Sequence, residues 1–440
     1  MQPKELLVPR APSDGADQVV DIEGRRDFLR TIVGAAAGGA ALLSARAGVA
    51  QQPGASGDMV MPPGPLPGKS QPGMAMPAAG AQRQSQVGMA MAAPLPKGAP
   101  PMGSPLYKHF KLELSVIQQE LVPGVVTHML AYNRSVPGPT FRVQEGDWVW
   151  VDFVNSNDEM HTIHWHGLIV DYRMDGVPYL TQDPVMRGEQ YRYVFQAKPY
   201  GTHFYHCHFG TSMHMQAGMY GAFIIERPDD PVHARYPYTQ DYTLVLSSID
   251  TVFVRQQLNA MFARMKQRDA LAARGALDAM TQAVFNDKDL LREAIAKGYM
   301  PPYTAARTAA ESPRPNFFTI NGKSYPATEP IRVREGEWTR IRFINAGNVG
   351  FSMHLHGHDF FWVCTDGTPL PAPIRLNTIR IDPGNTQDVV FLADNPGVWA
   401  LHDHDVTHTT NNGVYPGGAM THVAYEGFDG TYKPKVSLDE

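Results

Sequence analysis

The segment PGPTFRVQEGDWVWVDFVN (137–155) has a counterpart later in the chain, PIRVREGEWTRIRFIN (330–345). In both, a Glu-Gly turn and a tryptophan lead into a run that alternates apolar and polar residues. Such alternation suits a strand whose side chains point in turn to a core and away from it. Similar short runs surround the first copy: FKLELSVIQQEL (110–121), QYRYVFQ (190–196) and GAFIIER (221–227). TQDVVFLA (386–393) and MTHVAYEG (420–427) surround the second. Short strands divided by Gly/Pro turns predict an all-β protein of β-sandwich domains, and 40 Gly with 37 Pro agree with it. The echo is most economically read as an internal repeat of one β domain, over 105–228 and 316–430.

The remaining segments differ in texture. Residues 51–104 are rich in Met, Pro and Gly, lack apolar periodicity and predict disorder. Their methionines include three M-x-M pairs, Met59/Met61, Met74/Met76 and Met89/Met91. Thioethers prefer Cu(I), so copper capture stands beside the plain alternative of a linker that contains methionine. Residues 229–315 read as an interdomain connection. Within it, the stretch 254–300, which begins VRQQLNAMFARMKQRDALAARGALDAM, spaces apolar residues by three and four, which predicts a helical insertion of two or three amphipathic helices. Residues 431–440 read as a tail.

At the N-terminus, GRRDFLR (24–30) precedes the weakly apolar TIVGAAAGGAALL and the small residues of SARAGVA. This resembles a twin-arginine export signal spanning residues 1–50, cleaved near Ala50, which implies a periplasmic or extracellular protein. A short membrane anchor is the alternative, but the run falls short of the ~20 residues that cross a bilayer, so no stable membrane insertion is expected. The net charge of −5 argues against nucleic acid as a partner.

Histidine is where chemistry concentrates. On a strand, residues i and i+2 share a face, so H-x-H presents two imidazoles together. There are four principal pairs: His164/His166, His206/His208, His354/His356 and His402/His404, two per repeat. HTIHWHG (161–167) parallels FSMHLHGH (351–358), and GTHFYHCH (201–208) parallels GVWALHDH (397–404). One pair is a weak signal, but four at matching places suit a multinuclear copper site. If His206 and His208 share one face, Cys207 points to the other and serves a second site. His161, His214 and Met219 are the nearby donors; two histidines, a thiolate and an axial methionine make a blue-copper site. The other cysteine, Cys364, lies in the apolar HDFFWVC (358–364) and reads as a buried thiol; a disulfide to Cys207 is left open by the sequence.

HTIHWHG, HCHFGTSMHMQAGM, HLHGH and HDH closely resemble the motifs of the multicopper oxidase family, over roughly 107–430 apart from the insertion. The resemblance implies cupredoxin-like Greek-key domains and four coppers per subunit equivalent: one type 1, one type 2 and two type 3. By that resemblance His161, Cys207, His214 and Met219 hold type 1 copper, and His164 and His354 hold type 2. His166, His206, His208, His356, His402 and His404 hold the type 3 pair. The second repeat departs from the pattern, with Phe351 where the first has His161 and Asp403 where it has Cys207, so no blue copper is expected there. His408 and Met420 read as remnants of a lost site or as residues with other duties. The chain resembles the two-domain, laccase-like subgroup with type 1 copper in its first domain. That subgroup implies a homotrimer with trinuclear clusters at the subunit interfaces.

The implied activity is one-electron oxidation of a small reductant (a phenol, an aromatic amine or Cu(I)) coupled to four-electron reduction of O2 to water. Asp175, in YRMDGVP (172–178), matches the family's acidic residue near type 2 copper and is the expected proton relay; a plain Asp-Gly turn is the alternative. Asp403 and Asp405 are weaker relay candidates. His203 and His358 read as supporting residues, and Met213 and Met215 as core. Two other readings compete: a copper nitrite reductase, which needs fewer histidines than this chain carries, and a periplasmic copper-sequestering or copper-resistance protein, which needs no thiolate joined to eight imidazoles.

Overall fold

A computed structural model describes residues 94–273 and 314–430. The export-signal segment, most of the Met-rich segment, the later part of the helical insertion and residues 431–440 lie outside the described residues. Residues 94–104, the described end of the Met-rich segment, take turn conformations and meet the first strand, where the Tyr107 hydroxyl donates to Pro100 O at 2.6 Å.

The first sandwich is built from eight strands. These are β1 (Tyr107–Val122), β2 (Val125–Tyr132), β3 (Gly138–Gln144) and β4 (Trp148–Val154), then β5 (Ile163–His166), β6 (Gln190–Gln196), β7 (Gly201–Cys207) and β8 (Tyr220–Glu226). They form two four-stranded sheets, of order β2-β1-β4-β6 and β3-β8-β7-β5. In β4 the alternation is as the sequence predicts, with Val149, Val151 and Phe153 fully buried between partly exposed residues. Burying each such side chain stabilises the fold by about 1.5–3 kcal/mol.

The second sandwich repeats the plan. Its strands begin with β9 (Tyr238–Ile249), β10 (Phe317–Ile320), β11 (Ile331–Val333), β12 (Trp338–Asn345) and β13 (Phe351–Leu355). They continue with β14 (Phe360–Thr365), β15 (Thr368–Leu376), β16 (Thr378–Ile381), β17 (Thr386–Leu392), β18 (Val398–Asp403) and β19 (Met420–Tyr425). The sheets run β10-β9-β12-β17-β14-β15 and β11-β19-β18-β13-β16. The parallel pair β1/β4 recurs as β9/β12, and the parallel pair β3/β8 recurs as β11/β19. Thus Tyr238–Ile249, which the sequence pattern assigns to the connection, is a strand of the second sandwich.

Three helices matter for the site. α1 (Thr211–Gln216) follows β7, α2 (Pro231–Arg235) leads into β9, and α3 (Thr251–Ala273) follows β9. The expected insertion is helical as far as it is described. Phe253, Val254, Leu258 and Met261 of α3 are buried in the first core, and Phe262 packs its ring against His128 of β2.

Every residue of β7 is buried. Tyr205 and Cys207 enter the first core. Thr202 faces the second sandwich, donating to Asp388 Oδ2 at 2.9 Å and accepting from Arg342 Nη1 at 2.9 Å. Arg340 and Arg342, charged residues of β12, are 0% and 1% exposed. Their charges are met by Asp388, Asp230 and Asp241. Cys364 is buried and unbridged, its thiol pushed well up by burial.

Candidate metal centre

On β7 the pleat separates two sites. Cys207 Sγ lies 3.5 Å from His161 Nδ1 and 3.3 Å from His214 Nδ1, all three side chains buried. His161 is held by the segment before β5, bridged to Val185, and His214 by α1. Met219 is fully buried beside them: its carbonyl accepts from Cys207 N at 3.1 Å and its N–H donates to His214 O at 2.9 Å. Burial and the neighbouring His214 hold His161 well below the usual histidine range. Burial would also lower His214, but Cys207 and Glu159 beside it raise it to about 10.

His206 projects from the opposite face. It pairs across the sheet with His164, and neighbouring rings among His164, His166, His206 and His208 lie 5.3–5.9 Å apart. The donor atoms of His164, His166 and His206 converge within 4.8 Å. His164 Nδ1 donates to Asp175 O at 2.8 Å and His206 Nδ1 to Cys207 O at 3.0 Å, which leaves each Nε2 with its lone pair. Burial, then His164, lowers His166 to about 4, and burial lowers His206 to about 3. His166 and His206 are therefore neutral near pH 7, the state in which imidazole binds metal.

Asp175 sits beside this set, its Oδ1 3.4 Å from His164 Nδ1. Gly176, at φ +80°, brings the Asp-Gly turn against β5; any side chain there would run into Ile163 O. Asp175 thus sits at a backbone bend and also beside His164.

The second sandwich carries a matching set. His354 faces His402 across β13 and β18, and ring separations among His354, His356, His402 and His404 run from 4.8 to 5.9 Å. His354 Nδ1 donates to Asn377 O at 2.7 Å, and His402 Nδ1 to Asp403 O at 2.8 Å. The Nε2 atoms of His356 and His402 approach to 2.9 Å, a convergence suited to a shared cation. Among the described residues no imidazole of one set packs on an imidazole of the other. Each sandwich therefore presents its own set of four imidazoles.

The place of Cys207 in the second sandwich is taken by a sealed pair. Asp403 is fully buried; its carboxylate meets His408 Nδ1 at 2.6 Å and accepts from the N–H groups of Ser352 and Asp405. Phe351 and Phe318 pack on the His408 ring. Cys207 N bonds Met219 O, and Asp403 N bonds Ala419 O, so Ala419 and not Met420 occupies the register of Met219. Asp403 is committed to this pair and is a poor relay candidate. His358 is tied to Tyr425 by its Nε2 at 2.6 Å, and His203 to Pro199 O at 3.0 Å, so both are supporting residues. Met215 is core and Met213 packs against it.

The donors fit copper. Two imidazole nitrogens and a thiolate sulfur around one point are a copper-thiolate set, and clustered imidazoles suit copper as well. Two sequence profiles described as multicopper oxidase match residues 115–230 and 299–415. The solved blue copper oxidase from Nitrosomonas europaea is 33% identical, with 73% of this chain and 86% of that one covered and a TM-score of 0.59.

The chain belongs to the multicopper oxidase family.

A second solved multicopper oxidase, mgLAC, is 32% identical over 73% of this chain and 87% of its own, with a TM-score of 0.58. Among curated relatives, the copper resistance protein A homolog of Pseudomonas syringae pv. tomato is 26% identical over 64% of this chain and 46% of its own length. The Mycobacterium tuberculosis multicopper oxidase MmcO is 22% identical over 65% of this chain and 82% of its own. The chain thus spans less than half the length of the first of these curated relatives. No helix of the described residues is long and apolar enough to cross a membrane.

Asn157 and Glu159 went unread in the sequence. Their side chains bond the outer nitrogens of His161 and His214 at 2.9 and 3.1 Å. Only their closeness to His161 in the chain could have drawn attention to them.

Proposed function

We propose that this multicopper oxidase takes single electrons from a small reductant at the Cys207 site and reduces O2 to water at a site built from the eight imidazoles. The observation that carries the reading is the pleat of β7: Cys207 closes a two-histidine, one-thiolate set on one face while His206 joins the imidazole set on the other. Copper, when bound, supplies the one-electron couple at the first site and the four-electron reduction of O2 at the second. The chain's own part is to hold, join and protonate. Cys207 is covalently continuous with His206 and His208, so the two sites share one short peptide segment. Asp175 keeps an acid beside His164, where it can hold a proton for the oxygen-reducing site.

In this reading the type 1 copper belongs to His161, Cys207, His214 and Met219, and the type 2 copper to His164 and His354. The two type 3 coppers belong to His166, His206, His208, His356, His402 and His404. The separation of the two imidazole sets within one chain supports completion of the cluster by a neighbouring copy in a homotrimer. Phenols, aromatic amines and Cu(I) are the proposed reductants. The M-x-M pairs and a relative named copper resistance protein A favour Cu(I). The paired arginines of residues 24–30 support export to the periplasm or beyond.

Copper-loaded full chain tests this by O2 uptake with a phenol and with Cu(I), alongside its mass in solution. Steady O2 uptake by a trimer is expected. Nitrite consumption without O2 uptake would favour a nitrite reductase, and copper binding without turnover a sequestering protein.

A further inference from the structure

The outer edges of both imidazoles at the Cys207 site end on one loop. Residues 155–160 read NSNDEM and are locked by their own side chains. Asn155 Nδ2 donates to Glu159 O at 2.6 Å and to Val185 O at 2.9 Å, and its Oδ1 accepts from Asn157 N at 3.0 Å. Asn157 Oδ1 accepts from Glu159 N at 3.0 Å and from His161 Nε2 at 2.9 Å. Glu159 Oε2 accepts from His214 Nε2 at 3.1 Å. Each ring therefore turns Nδ1 to the sulfur and Nε2–H to this loop.

The two acceptors differ in kind. His161 meets a neutral amide oxygen, whereas His214 meets a carboxylate, in a contact where the side chains are only 5% and 8% exposed. An anionic acceptor on the far nitrogen raises the donor strength of the imidazole. In a buried site the negative charge also favours the more positive of two metal oxidation states. The adjacent Asp158 turns away to pair with Arg187 at 3.0 Å. The His214 ring beneath this contact is 4% exposed.

We propose that Glu159 is a positioning residue that fixes His214 through Nε2 and, by its charge, sets the reduction potential of the Cys207 site below that of a site with two neutral acceptors. The inference rests on the copper-thiolate reading of Cys207.

The experiment is an equilibrium redox titration of copper-loaded full chain, followed by the thiolate-to-copper band, in wild type, Glu159→Gln and Asp158→Asn. Glutamine keeps an oxygen acceptor and removes the charge. Glu159→Gln is expected to shift the one-electron equilibrium about tenfold toward the reduced form, some 59 mV upward, with the band unmoved. Asp158→Asn, which removes an equal charge outside the contact, is expected to shift it less than threefold. A Glu159→Gln shift under threefold, or equal shifts in the two variants, overturns the proposal. The contact is also tested in wild type, where pulsed EPR of the two remote imidazole nitrogens is expected to show one strongly and one weakly hydrogen-bonded nitrogen. Two equivalent nitrogens overturn the proposal even if Glu159→Gln fails to take up copper. A wild type without the band defeats the copper-thiolate reading itself, and the proposal with it, whereas a band with no Glu159 effect defeats the proposal alone.

Discussion

Arg340→Met probes the buried charges that join the sandwich interface to β7. The Arg340 side chain is 0% exposed; Nη2 bonds Asp388 Oδ2 at 2.6 Å, and Nη1 bonds Asp230 Oδ2 at 3.0 Å and Tyr238 Oη at 3.1 Å. Removing one member of a buried pair costs about 3–5 kcal/mol, because the remaining charge stays desolvated. Asp388 keeps Arg342 at 3.6 Å and Thr202 at 2.9 Å, and Asp230 keeps two tyrosines, so the loss belongs at the low end, about 3 kcal/mol. At a denaturant slope of about 3 kcal/mol/M, the urea midpoint falls by about 1 M. Arg375→Met, at an exposed pair with Asp359, is the control and should cost under about 1 kcal/mol. The assay is urea unfolding followed by tryptophan fluorescence. An Arg340→Met loss no larger than that of the control would rule out a buried-charge origin. Arg340→Met combined with Asp388→Leu should recover part of the loss, since apolar replacement of both partners is far less costly than orphaning one.

Burial would raise Asp241, but Arg342 and Arg340 hold its carboxyl below the ordinary carboxylate range. Its stabilisation is then fully present above the unfolded value of about 3.9 and is lost as pH falls through the lower folded value. The melting-temperature gap between wild type and Asp241→Asn should be constant above about pH 5 and narrow below about pH 4; a gap that widens in acid would show the sign to be wrong. His408→Ala removes the 2.6 Å partner of buried Asp403 and should cost about 2 kcal/mol in thermal or chemical unfolding, with no change in the thiolate-to-copper band. Asp175→Asn should lower O2 turnover roughly 100-fold and alter the pH–rate profile, again with that band unchanged.

The sandwich repeat was legible because a Glu-Gly turn and period-2 alternation recur at matching places. The two-sided reading of H-C-H needed only the strand pleat; Cys207 Sγ lies beside His161 and His214. Strand β9 was not legible: its end, TLVLSSI (243–249), is apolar without alternation and runs into a helix. The burial of Arg340 and Arg342 was not legible, because the aspartates that admit them to the interior are distant in sequence. Met420 misled by one residue, since register is set by backbone pairing of Asp403 with Ala419. Glu159 and Asn157 carry no motif; their part depends on a loop folding back over two rings.

Cys207 is proposed to hold a blue copper on one face of β7 while its neighbours serve the oxygen-reducing imidazoles on the other. Optical and EPR spectra of copper-loaded Cys207→Ser, recorded with total copper content and O2 uptake, decide between that assignment and its rivals. Loss of the thiolate-to-copper band and of nearly all O2 uptake is expected, with imidazole-bound copper retained. A blue band that survives the substitution would place the copper elsewhere and overturn the assignment.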